Sequence, residues 1–198
     1  MKNHKTILFA TIFALALSVP AFGQGEPTQS MPGFVQDYLG QVDYVQKRIT
    51  SLAEAMAGKA SWRPAEGVRS VSEVYLHIAF GNYIITKMMG FAPPAAANFS
   101  MEIAMWDQQT TDMAKIVEIM NASFDHVRDV AKKMSATDLD KKMNLFGMEM
   151  TERNALISTL DHMHEHFGQS IAYARMNGVV PPWSAKEQAA EKTKKTDS

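Results

Sequence analysis

The chain has 198 residues, 46% of them apolar and 21% charged, with a formal net charge of −1; that suits one folded domain with a sizeable core. The near-neutral balance excludes the basic surface that nucleic-acid binding requires, and none is expected. Cysteine is absent, which rules out disulfides, a lipid-anchored cysteine and thiolate metal ligands, so any metal must be held by nitrogen and oxygen.

Lys2, His4 and Lys5 make a basic start, an apolar run follows from Ile7 to Val19, and Pro20 leads into Ala21-Phe22-Gly23. Small residues at that place are what a signal peptidase reads. The run is too short for a comfortable membrane span, and no stop-transfer segment follows it. Residues 1–23 are therefore expected to be a cleaved secretory signal peptide. The mature protein would be exported, periplasmic or secreted, with no stable membrane span.

After a polar lead-in, the apolar positions run Val35, Tyr38, Val42, Val45, Ile49, Leu52, Met56. Steps alternating between three and four make the seam of a bundle helix, which Gly58 ends. Ser70 opens S-V-S-E, a capping box in which Glu73 reaches back to the cap. The second helix carries Val71, Val74, Ile78, Ile85 and Met88 on one stripe, with His77 on its flank. Gly81 costs about 1 kcal/mol inside a helix, so it is expected to mark a close approach by a neighbouring helix or a ligand.

Residues 90–106 are apolar and irregular, because Pro93-Pro94 forbids a continuous helix. A segment this apolar is expected to roof a pocket or a core edge. A third helix is expected from about Asp107 to Met134, with Met113, Val117, Met120, Phe124, Val127, Ala131 and Met134 as its seam. The linker 135–150 has room for a turn of helix and an extended piece around Leu145-Phe146. Thr151 caps a fourth helix reaching about Asn177, where Gly178 and Pro181-Pro182 stop it. From Ala185 the chain is charged, lacks large apolar residues and is expected to be a disordered tail, 185–198. The fold class is thus all-α, a four-helix bundle over residues 31–184 with no sheet. The fifteen methionines fall mostly on or near the seams, as gap-filling core.

The chemistry is concentrated in HMHEHFGQ, residues 162–169, which puts three of the six histidines into five positions. His162 and His166 are four apart and share one helix face, a spacing that lets two imidazoles grip one ion. They stand beside the seam Leu156, Leu160, Met163, Phe167, whereas His164 points towards solvent. His77, on another helix, can complete a three-histidine site for a divalent metal ion. Zinc, nickel and iron all suit neutral imidazole. Glu165 completes H-x-x-E-H, the pattern in which a glutamate is the general base of a zinc peptidase; that mechanism also wants a carboxylate as third ligand, and an exposed Glu165 is the plain alternative. His126 on the third helix is a spare at the bundle edge. Arg63, Arg69 and Arg175 are candidates for holding an anionic substrate or for purely structural pairing. No GxGxxG, P-loop or GxSxG is present, so nucleotide binding and serine hydrolysis have no support.

SWRPAEGVRSVSEVYLHIA (61–79) and HMHEHFGQSIAYARMNGVVPPWS (162–184) together resemble the DinB-like superfamily of metal-binding four-helix bundles. The specific features are the helix-two histidine after W-R-P…V-x-S-V-x-E and the H-x3-H-x-G-Q of helix four, and the order of elements agrees over residues 31–184. The resemblance implies a divalent metal on His77, His162 and His166. For some members it also implies thiol-dependent S-transfer with low-molecular-weight thiols, or a related isomerisation. The expectation is a metal-dependent enzyme, hydrolase or thiol S-transferase, acting on a small-molecule substrate. A non-catalytic metal- or ligand-binding protein of the stressed cell envelope is the alternative. Surface apolar residues near Trp106 and Trp183 are candidates for a homodimer contact.

Overall fold

Each of the four long segments must bury one stripe, and the stripes meet. In a computed structural model of the protein, which describes residues 31–196, the four long helices are α1 (Gly33–Ala55), α2 (Val71–Met88), α4 (Met113–Lys133) and α6 (Glu152–Met176). Short helices α3 (Ile103–Asp107) and α5 (Ala136–Leu139), strands β1 (Lys142–Leu145) and β2 (Met148–Thr151), and α7 (Pro182–Thr196) complete the chain. Helix α2 packs on α4 and α6, and α1 packs on the same two, which makes the bundle. The expected signal peptide lies outside the described residues. None of the described helices is long and apolar enough to cross a membrane.

The seam of α1 is the one its periodicity gives, with Val35, Tyr38, Val42, Val45, Ile49, Leu52 and Met56 all buried. Helix α2 begins as its capping box dictates: Ser70 Oγ accepts from Glu73 N, and Ser70 N donates to Glu73 Oε2 at 2.6 Å. It is more than a one-stripe helix, however. Every residue from Val71 to Thr86 except His77 is buried, because α3, α4, α6 and β1 surround it. Met88, expected on the buried stripe, is exposed.

Four expectations are corrected. Helix α4 starts six residues later than expected, because Asp112 caps it by accepting from Ala114 N and Lys115 N; Ile116 is buried where Val117 is only partly so. The stretch before it is not wholly irregular, since α3 fits in one short turn that buries Trp106 and Asp107. A two-stranded sheet exists. Strands β1 and β2 pair antiparallel with Leu145 opposite Met148, around a two-residue turn in which Phe146 (φ 51) and Gly147 (φ 89) both lie in the left-handed region. That is the hairpin turn whose twist matches the strands, and its usual Asn-Gly signal is masked here by a phenylalanine. Lastly, residues 185–196, expected to be disordered, are helical. Pro182 starts α7 at a position that tolerates a missing N–H, and Ala, Lys, Glu and Gln are good helix formers.

Candidate metal centre

Two helices bring the site together. Helix α6 presents His162 and His166 one turn apart with ring centroids 4.6 Å from each other. Helix α2 sets His77 opposite, 5.1 Å from the His162 ring and 4.8 Å from that of His166. One ligand nitrogen from each of the three lies within 4.8 Å of the others, forming a group that could hold a metal ion. Gly81 explains how α6 comes so close. A Cβ there would lie 2.9 Å from His162 Nε2 and nearer still to Cε1 and Nδ1 of the same ring, closer than real side chains pack. The close approach expected at this glycine is the His162 imidazole itself.

The protonation states suit ligands. Burial, then the neighbouring His166 and His77 and the Arg69 charge, push the His162 imidazole down to about 3. Burial likewise lowers His166, against the hydrogen bond it makes to Gln169. Both rings are neutral near pH 7, the form that binds metal. His162 Nδ1 and His77 Nδ1 are buried without a hydrogen-bond partner. Orphaned polar atoms are rare in a native core; that of His77 stands beside Asp107, while His162, with no hydrogen bond to hold its ring, is the imidazole most in need of a partner at the centre. The donor set, all nitrogen, fits a divalent transition metal.

Behind the histidines runs a polar arc absent from the sequence reading. His166 Nδ1 meets Gln169 Oε1 at 2.8 Å, Gln169 Nε2 donates to Tyr173 Oη at 3.0 Å, and Tyr173 Oη donates to the Arg69 carbonyl at 3.1 Å. Because the tyrosine gives its proton to that carbonyl, it must accept from the amide nitrogen, which turns the Gln169 oxygen to His166. Nδ1 of His166 therefore carries the hydrogen, and its Nε2 lone pair faces the centre. From the other end, Arg69 Nε donates to Asp107 Oδ2 at 2.7 Å, and His77 Nδ1 stands 3.3 Å from the same oxygen, off the hydrogen-bonding direction. Asp107 and Tyr173 had no sequence signal, since each is made relevant by a contact far along the chain. Gln169 was visible within H-x3-H-x-G-Q, though without a role.

One cavity opens on the triad and a second lies against the residues behind it. One, of about 370 Å³, reaches His77 and His162 and is otherwise walled by apolar side chains, among them Met101 and Ile103 of the segment expected to form a roof. The other, of about 600 Å³, mixes polar and apolar walls and touches Asp107 and Gln169. Arg63 and Arg69 line it, paired with Glu73 at 3.2 Å and with Asp107 at 2.7 Å respectively. Arg175 lies elsewhere, beside Gly178 and Pro181.

The remaining candidates fall away from the triad. His164 is exposed, with Nδ1 at 2.9 Å from the Leu160 carbonyl. Glu165 is exposed and lines neither cavity at the triad. His126 is buried in the α2–α4 interface, its Nε2 3.1 Å from Thr86 Oγ1, and burial lowers its pKa; it is not one of the three converging groups. Trp106 is not a surface residue. It is 2% exposed, donates from Nε1 to the Leu76 carbonyl at 2.7 Å and packs on Phe99 and Tyr83. Trp183 is partly buried against Phe167 and Arg48.

The class defined by this fold and site is a helical bundle with a three-histidine group fit for metal. Residues 41–170 match the model of the DinB superfamily, and the chain belongs to that superfamily. Solved structures agree in fold. A DinB-like protein from Bacillus cereus ATCC 10987 is similar at a TM-score of 0.62 and 20% identity, over 78% of this chain and 97% of that one. A DinB-like protein from Bacillus subtilis gives 0.57 and 20%, over 73% and 93%. No curated protein is detectably similar.

Proposed function

We propose that this protein is an exported, divalent-metal-dependent enzyme of hydrolase or thiol S-transferase type, with His77, His162 and His166 holding the ion. The observation that carries the reading is an open triad. Three imidazoles converge, no fourth protein ligand joins them among the described residues, and a cavity reaches His77 and His162. A purely structural site would be closed by four protein ligands, whereas three leave a position for substrate. When bound, a divalent cation supplies Lewis acidity towards a substrate oxygen or sulfur.

The chain's own residues do the rest. Gln169 and Asp107 sit behind His166 and His77, and the Gly81 gap seats His162. Phe80, Ile84 and Phe146 wall the approach with apolar surface, which offers water few groups to bond beside the histidines. Glu165 is assigned no catalytic role, because its exposed carboxylate lies outside both cavities. Export rests on the basic start, apolar run and small residues of positions 1–23; the mass of the protein recovered from the cell envelope or the medium tests it.

The test of the centre is metal content by mass spectrometry on protein purified without a histidine tag, beside H77A and H162A/H166A. About one equivalent of a single metal, lost in both variants, is the expected result for a three-ligand site. Substoichiometric metal indifferent to the substitutions would remove the enzyme reading.

A further inference from the structure

The apolar cavity beside the triad is more than a gap in packing. Its walls are Phe80, Ile84, Ile85, Met101, Ile103 and Phe146, with His77 and His162 as the polar exceptions. Three of the walls are also exposed to solvent: Met101 by 61%, Ile103 by 44% and Phe146 by 59%. Scattered exposed apolar residues need no explanation, but these three, from two separate segments, ring one mouth.

Phe146 adds a second observation. It is the first turn residue of the hairpin and has φ 51, a conformation that costs a bulky side chain energy and that asparagine or glycine would adopt cheaply. Asn144 Oδ1, accepting from Gly147 N at 2.8 Å, holds the turn in place without any need for an aromatic ring at position 146. A strained, solvent-exposed phenylalanine that walls a cavity is therefore explained by what the cavity takes, not by the hairpin.

We propose that the substrate of this centre has an apolar body, an unbranched alkyl chain or a small aromatic ring, seated against Ile84, Met101 and Phe146 with its reactive polar group at the histidines. This rests on the metal-enzyme reading for the polar end, but the apolar end stands on the cavity alone. The shape favours a small molecule over a protein surface, since the hollow is concave and ends at the triad. Its volume of about 370 Å³ equals roughly twelve water-sized groups at about 30 Å³ each. A chain of about ten carbons fills it.

The probe is a series of n-alkyl hydroxamates from two to fourteen carbons, titrated calorimetrically into the metal-free and the zinc-loaded protein. Affinity should rise about fourfold per methylene, the transfer value for burying one CH2, and level off near ten carbons in both forms. Zinc should tighten the whole series by a common factor. Two variants keep the fold: Phe146→Asn, which suits the turn better than the native residue, and Met101→Glu, at an exposed position. Both should flatten the series. Chain-length dependence without any effect of zinc would support the cavity assignment and overturn the metal reading. A flat series in both forms, or one equally steep in the two variants, would overturn the assignment of an apolar substrate.

Discussion

Gly81→Ala puts two effects of opposite sign at one position. In an ordinary helix interior alanine is better than glycine by about 1 kcal/mol. Here the new Cβ would stand 2.9 Å from His162 Nε2 and closer to Cε1 and Nδ1. Favourable contacts between such atoms need about 3.5 Å or more, so the ring must retreat by at least about 0.6 Å at its farthest nitrogen, and by more elsewhere. Metal–ligand distances tolerate about 0.2 Å. The ring therefore leaves coordination, and three ligands become two. Because a lost second-layer contact alone costs about 10–100-fold in metal affinity, the loss here should exceed about 100-fold. The assay is competition for zinc against a chromophoric chelator, with thermal unfolding of the metal-free protein alongside. The background matters. On H162A the nearest obstacle is gone, so G81A should stabilise that variant by up to about 1 kcal/mol while destabilising the parent. G81A that binds zinc as tightly as the native chain, or that shifts stability equally in both backgrounds, would refute the argument that Gly81 exists to seat His162.

D107N should weaken zinc about 10–100-fold by loosening His77, and Q169A should do the same through His166; unchanged competition titrations would mean that the polar arc is structural only. W106F removes a buried indole N–H bonded to the Leu76 carbonyl at 2.7 Å and should cost about 2–3 kcal/mol from that bond and the space left behind; urea midpoints within about 0.5 kcal/mol of native would contradict the burial argument. The metal-free protein should lose stability in acid. The folded pKa of His162 is about 3, below the unfolded value of about 6.5, so as pH falls the unfolded chain takes the proton first. Its contribution is full above about 6.5 and declines towards pH 3, at up to about 1.4 kcal/mol per unit. Urea denaturation at pH 7.5 and 5.5 measures it, and H162A should lose less over that interval; an equal loss would assign the acid sensitivity to other groups.

The parts of the fold that could be read from sequence are those where neighbours in the chain settle the question. The seam of α1, the capping box at Ser70 and the Thr151 cap are all local, and each is where residue spacing places it. The two-histidine face of α6 is local too. What could not be read depends on distant partners. Helix α2 has no polar face to announce, because it is buried nearly all round. The turn at Phe146-Gly147 is hidden because a residue unsuited to positive φ occupies it. Asp107 matters only because α3 folds back over α2 and places it near Arg69 and His77. His77 is the intermediate case. Its position on the stripe's flank was visible, but its partnership with residues 162 and 166 came from the three-ligand requirement and from family resemblance, neither of which is a property of the local chain.

The site divides its work between two materials. On one side of the triad is a polar arc, Gln169–Tyr173–Arg69–Asp107, linked by hydrogen bonds from the amide through the phenol to the Arg69 carbonyl and from the Arg69 Nε to the carboxylate. On the other is an apolar wall from α2, the 90–106 segment and the hairpin tip. Buried hydrogen-bonded groups hold one geometry, because breaking any of them leaves an unsatisfied partner. Apolar contacts are non-directional and tolerate changes of shape. A centre built this way fixes ring orientation with the first and selects its ligand with the second. The hairpin and the 90–106 segment contribute to the wall but not to the arc, so substitutions at Met101 or Phe146 can change what is bound without moving an imidazole. Substitutions at Asp107 or Gln169 should do the reverse, weakening metal while leaving the preference for chain length intact.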